Sequence, residues 1–156
     1  MVTRQNTCVI PRKQTGVGLI EVLIAVLVMA VGLLGIAAMQ ATGLRNSQSA
    51  LERSQAVVQT YAILDAMRAN PGQARAKGYD KVCTAASGNG GGLAAADHAL
   101  WKQAFLDTLG AGACGAITCS DIIGSPAKEC EVIVEWNDSR GTGGVAKQQV
   151  LTKTRI

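Results

Sequence analysis

From Val22 to Met39 every position is apolar or glycine, eighteen in a row, and the uncharged stretch runs on to Leu44. A helix of roughly 20 such residues crosses a bilayer, and within the hydrocarbon a helix satisfies its own backbone. The core helix of a soluble domain would carry a polar face, and this segment carries none. A secretory signal would have a shorter apolar region, about 7–15 residues, with a small-residue cleavage site after it. Ala37, Ala38 and Ala41 supply small residues, but the run is too long. The pattern predicts a membrane-spanning helix over residues 17–44.

Past Leu44 the helical pattern continues but turns amphipathic. Leu44, Leu51 and Val58 recur every seven residues, and Val57, Tyr61 and Leu64 follow i, i+4, i+7 spacing. Arg45, Glu52, Arg53, Asp65 and Arg68 bring charge. Asn70-Pro71-Gly72 ends the helix, because proline lacks the amide donor and disfavours helix at the residue before it. A single helix from Val17 to Ala69 would be roughly 80 Å long at 1.5 Å per residue, half in lipid and half against a head.

The rest of the chain predicts that head. Ser87 to Gly92 is a loop by composition, and Ala94 to Leu109 a helix with Trp101, Phe105 and Leu109 on one face and Gly110 as its stop. Gly110 to Lys128 reads as turn-rich, with two cysteines. In Cys130 to Trp136 the residues Cys130, Val132, Val134 and Trp136 alternate with Glu131, Ile133 and Glu135, which is a strand with one apolar face. Asn137 to Gly141 and Gly143-Gly144 form a connection, and a second strand runs from Val145 to Ile156. The fold class is α+β: a long N-terminal helix on a small antiparallel sheet.

Composition sharpens this picture. Of the 156 residues 48% are apolar, but the run above holds a large share of them, leaving a modest core for a head of about 110 residues. Arg4, Arg12 and Lys13 precede the apolar run, and Met1 to Gly16 holds no acid. Setting those three cations aside leaves 12 basic against 11 acidic side chains, so the charge of +4 is no sign of nucleic-acid binding. Basic residues beside a membrane span stay cytoplasmic.

Five cysteines are present: Cys8 near the start, and Cys83, Cys114, Cys119 and Cys130 in the head. Four cysteines beyond a membrane span fit disulfides in an oxidising compartment better than zinc, for which the spacing of Cys114 and Cys119 would be the only hint. Three pairings are open to four cysteines. The expected one joins Cys114 to Cys119 as a local loop and Cys83 to Cys130 as a staple, with the longer loop worth roughly 2–4 kcal/mol. No catalytic constellation stands out. The single histidine, His98, follows Asp97 at a helix start, Asp138-Ser139-Arg140 suits a turn, and Ser87 to Gly92 lacks the lysine of a phosphate loop. No enzyme activity, cofactor or metal is expected.

The segment Arg12-Lys13-Gln14-Thr15-Gly16, then Val17-Gly18-Leu19-Ile20-Glu21 and the apolar run, resembles the class III signal of type IV prepilins and of type II secretion pseudopilins. The resemblance implies a type IV pilin-like fold and cleavage by a prepilin peptidase after Gly16. It also implies N-methylation of Val17, where the family usually has Phe, and a mature chain of 140 residues. Glu21, the only charge between Val17 and Leu44, would pair with the N-terminal amine during assembly. Gly32, Gly35 and Gly43 suit either ordinary membrane-helix packing or local bending in a filament core.

Val31 to Gln40, Leu19 to Ala25 and Val134 to Gly141 resemble the PilV-type minor pilins, known as type IV pilus modification proteins. That family implies a role in initiating pilus (fimbrium) assembly at or near the tip, in support of twitching motility and attachment. The implied partners are the peptidase, other minor pilins, the major pilin, the inner-membrane assembly machinery and, before assembly, membrane lipid; nucleic acid is not expected. Residues 1–16 would be the leader, 17–44 the membrane and filament-core helix, and 45–156 a periplasmic head. A minor pseudopilin of type II secretion is the alternative. A DNA-capturing or adhesive pilin would need a basic, aromatic stripe, and a membrane-anchored enzyme would need a reactive cluster.

Overall fold

The computed structural model describes residues 16–83 and 88–156. The leader up to Thr15, with Arg4, Cys8, Arg12 and Lys13, lies outside the described residues, as does Ser87. The elements in order are α1 (Leu19–Ala69), α2 (Pro71–Arg75), α3 (Leu93–Leu109), β1 (Cys114–Asp121), β2 (Lys128–Trp136) and β3 (Gln148–Arg155). The chain divides after Gln40 into two units.

In the first unit, α1 opens on the Gly18 carbonyl, which accepts from the amides of Glu21 at 3.0 Å and Val22 at 3.3 Å. Every large apolar side chain from Val17 to Met39 is at least 51% exposed. The spanning segment has the expected length and polarity and no cover from its own unit.

In the second unit, the later part of α1 packs on a three-stranded antiparallel sheet of order β1-β2-β3. The face of α1 that is buried carries Ala56, Gln59, Thr60, Ile63, Leu64 and Met67. This corrects the heptad expectation. Leu44, Leu51, Val58 and Tyr61 are all more than half exposed, Val57 is 40% exposed, and only Leu64 of the expected positions faces the core. Small Ala56 and Thr60, whose hydroxyl folds back on the Ala56 carbonyl at 2.8 Å, line the buried stripe. Apolar spacing marked a neighbouring stripe that the head leaves bare.

Pro71 does end α1, but it also opens α2 as that helix's first residue, where its missing donor costs nothing. Helix α3 lies where expected and buries Ala94, His98, Trp101, Phe105 and Leu109. Gly110 stops it with φ +93°. Trp101 packs edge-on against Phe105 at 5.2 Å, and its indole N–H donates to the Gln59 carbonyl of α1 at 2.9 Å. The ring lies over Gly115 of β1 so closely that a Cβ there would collide with it.

Strand β2 buries Cys130, Val132, Val134 and Trp136, as its alternation predicted. Two boundaries differ from expectation. β3 starts at Gln148 rather than Val145, and the supposedly turn-rich region contains β1. Gly115, Ala116 and Ser120 have little strand preference of their own. What makes the strand is its eight-residue register with β2, from Cys114↔Glu135 to Asp121↔Lys128, together with burial of Gly115, Ile117 and Cys119.

That register also corrects the cysteine pairing. The disulfides are Cys83–Cys114 and Cys119–Cys130. Cys114 and Cys119 sit on one extended strand, five residues and so about 17 Å apart, beyond any disulfide. Cys119 lies directly opposite Cys130, with Cα atoms 4.0 Å apart, while Cys114 lies 5.2 Å from Cys83. Non-reducing peptide mapping of the full chain should therefore recover the 83–114 and 119–130 pairs. Replacing Cys83 and Cys114 together by serine should lower stability by about 2–4 kcal/mol in urea melts. Recovery of a 114–119 pair would contradict the β1–β2 register.

Candidate processing and assembly site

Gly16, Val17 and Gly18 precede the helix, are exposed and take no regular structure. Among the described residues beyond its chain neighbours, no atom comes within 4 Å of a Cβ built on Gly16. The Gly16–Val17 bond is thus open to a protease that binds an extended backbone, and glycine lets that backbone approach closely. Two residues later the chain is helical, where hydrogen-bonded amides resist such binding. Among the described residues, the helix start at Leu19 leaves Gly16 to Gly18 as the non-helical stretch ahead of α1.

Glu21 is the acidic residue of the first turn of α1 and is exposed. A carboxylate there complements the partial positive charge of a helix N-terminus. It makes no ion pair among the described residues. Cutting after Gly16 would place a new amine four residues upstream, at the end of the helix where positive charge is unfavourable. Glu21 is the one side chain on the segment able to offset that amine, in its own chain or in a neighbour. The predicted Gly16, Val17 and Glu21 thus fall together at one helix start, whereas Cys83, Cys114, Cys119 and Cys130 belong to the head.

Two groupings escaped the sequence reading. The first lies in the β2–β3 connection. Asp138 is only 3% exposed; its carboxylate accepts from the Ser49 hydroxyl of α1 at 2.6 Å, and its backbone N–H donates to Val145 O at 3.0 Å. Asp138-Ser139-Arg140 does form a turn, but the aspartate also anchors that turn to a helix 89 residues earlier. No local signal pairs Ser49 with it.

The second grouping gathers Tyr79, Lys81, Asp97 and His98 in the core. The Tyr79 hydroxyl donates to Asp97, and burial followed by that hydrogen bond pushes the phenol up to about 12. Lys81 is buried, its ammonium 3.3 Å from the Gly115 carbonyl, and burial holds its pKa down. His98 is wholly buried between Tyr79 and Trp101; burial first, and the Lys81 charge second, lower its pKa. The His98 imidazole and the Tyr79 phenol are buried and pack the head, with half-buried Asp97 at the edge of the group.

The sign of the His98 effect is definite. Its folded pKa lies below the unfolded value, so the unfolded chain takes the proton first as pH falls through about 6.5. Stability is then full above that pH and declines below it. The raised pKa of Asp80, caused by burial, acts the opposite way and at lower pH. Urea melts between pH 7.5 and 5.5 should show the full chain weakening with acid, and His98→Phe should flatten that slope, since His98 is the chain's only histidine. An unchanged slope would remove His98 from the account.

Residues 11–37 match the family described as the prokaryotic N-terminal methylation motif. No curated protein and no solved structure matches the chain. The motif spans the Gly16–Val17 bond, Glu21 and most of the uncovered apolar helix, and the head adds a small antiparallel sheet packed on the same helix's continuation. The chain thus joins a prokaryotic N-terminal methylation motif to an α+β head in which the same helix's continuation packs on a small antiparallel sheet.

Proposed function

We propose that this chain is a minor pilin of the PilV type that helps initiate and assemble type IV pili, placed at or near the tip. The observation that carries the reading is the methylation motif over residues 11–37, which includes an exposed, non-helical bond ahead of an apolar helix whose side chains are exposed. In this reading Arg12 and Lys13 hold the leader at the cytoplasmic face, a prepilin peptidase cuts after Gly16, and Val17 is methylated. Residues 17–44 wait in the inner membrane with a periplasmic head, residues 45–156. Extraction into a filament exchanges lipid contacts for neighbouring helices, so apolar burial is nearly conserved, and Glu21 pairs with a Val17 amine to select register. The partners are the other minor pilins, the major pilin and the inner-membrane assembly machinery.

The motif is shared with pseudopilins of type II secretion. The disulfide-bonded head and the Trp136–Gly141 segment favour the pilus. Deletion of the gene should abolish surface pili and twitching while leaving exoprotein secretion intact, and the reverse outcome would assign the chain to secretion.

Intact-mass and N-terminal analysis of membrane-extracted protein should find a mature chain starting at N-methylated Val17. An uncut leader, or a start near Gln40, would defeat the reading. Glu21→Ala should still be cleaved, yet its amount in sheared filaments should fall by about tenfold or more, the effect of leaving a charge unpaired in an apolar setting by a little over 1 kcal/mol. Equal incorporation of this variant would end the register role.

A further inference from the structure

Lys128 and Ile156 exchange backbone hydrogen bonds in both directions, each 2.9 Å. In an antiparallel ladder, pairs that exchange two bonds alternate with pairs that exchange none. The register continues through Cys130↔Thr154, Val132↔Thr152, Val134↔Val150 and Trp136↔Gln148. These β3 residues therefore turn their amides and carbonyls toward β2. Those of Gln149, Leu151, Lys153 and Arg155 point the other way, along the outer edge.

The same alternation on β1 turns Gly115, Ile117 and Cys119 away from β2, and there the edge is closed. Lys81 exchanges two 2.8 Å backbone bonds with Ile117. Its ammonium reaches the Gly115 carbonyl at 3.3 Å, and an Asp80 carboxylate oxygen accepts from the Cys119 amide at 3.1 Å. On β3, no described residue meets the four outward backbone pairs. One edge of the sheet is capped and the other is bare.

The bare edge has a charge signature. On the solvent face, β2 presents Glu129, Glu131 and Glu135 around Ile133, and β3 presents Arg155, Lys153 and Gln149 around Leu151, in register. Lys153 reaches Glu131 at 2.9 Å, Lys147 reaches Glu135 at 3.6 Å, and Arg155 makes no ion pair among the described residues. An acidic column is followed by a basic one, and whatever comes next meets the cations. The geometry points to β3 as a docking edge for an extended segment of another protein, bearing carboxylates at alternate positions around an apolar residue, added as a fourth strand. Main-chain bonds would supply affinity and the alternating side chains selection. A second copy is a poor occupant: β3 against β3 would bring Lys147, Lys153 and Arg155 of both chains to one face with no carboxylate between them. The proposal stands on the head alone and does not rest on the pilin reading.

The test uses the full chain in detergent micelles and a labelled peptide copying residues 129–135, with serine at the Cys130 position. Saturable binding by fluorescence anisotropy is expected, weakening with salt, while a peptide with lysine in place of each glutamate should bind far less. Leu151→Pro removes one outward amide and no bond to β2, so the fold should persist by circular dichroism while affinity drops about tenfold or more. Lys153→Gln with Arg155→Gln should lower affinity several-fold and flatten the salt dependence; if Leu151→Pro fails to fold, this pair decides. No saturable binding would show that Lys153 merely guards a solvated edge, and overturn the proposal. So would equal binding of the lysine peptide, unchanged binding by the folded Leu151→Pro or by the double variant, or a homodimer that Leu151→Pro dissolves. None of these outcomes bears on where the mature N-terminus lies.

Discussion

An apolar helix left uncovered by the other described residues of its own unit calls for cover from elsewhere, and that constraint governs this protein. Removing each large side chain between Val17 and Met39 from water is worth about 1.5–3 kcal/mol. Summed over the segment, that exceeds the about 5–15 kcal/mol that holds a typical domain together. Where the chain resides, and what it does next, follow from how that surface is satisfied.

The start of the helix adds chemistry to that constraint. A helix N-terminus welcomes a carboxylate and resists a cation. Glu21 in the first turn complements that terminus. The stretch from Gly16 to Gly18 is exposed and non-helical, just ahead of that first turn. Accessibility and charge therefore converge within six residues, before the first full apolar turn.

The head is organised by β2. It is the central strand, ladders on both sides, buries four alternate side chains and holds one end of a disulfide. Around it, long-range ties replace a large core. Trp101 reaches α1 while lying over Gly115, Asp138 reaches Ser49, and the segment from Tyr79 to Cys83 closes the β1 edge. Lys81 serves this last task twice, by backbone and by ammonium, which accounts for a buried lysine in a small domain. Among the described residues, the outcome is a sheet that is finished on one side and open on the other.

Much of this was legible beforehand, because it depends on local order. The apolar run, the charge at Glu21, the Pro71 stop, the α3 stripe and the alternation of β2 each rest on spacing within one element, and all reappear in the fold. The misses share a cause. Strand β1 is made of residues with little strand preference and exists because β2 pairs with it. The disulfide partners were decided by that pairing, since two cysteines close in sequence are far apart on an extended strand. The buried face of α1 carries small Ala56 and Thr60 beside Ile63, Leu64 and Met67, and apolar spacing could not distinguish that stripe from its neighbour. By itself, then, the sequence determined the membrane-scale helix and the class of head, because those follow from periodicity and composition. Cysteine pairing, the core-facing side of α1 and the one open sheet edge were decided only when residues distant in the chain met, because register and contact are properties of pairs.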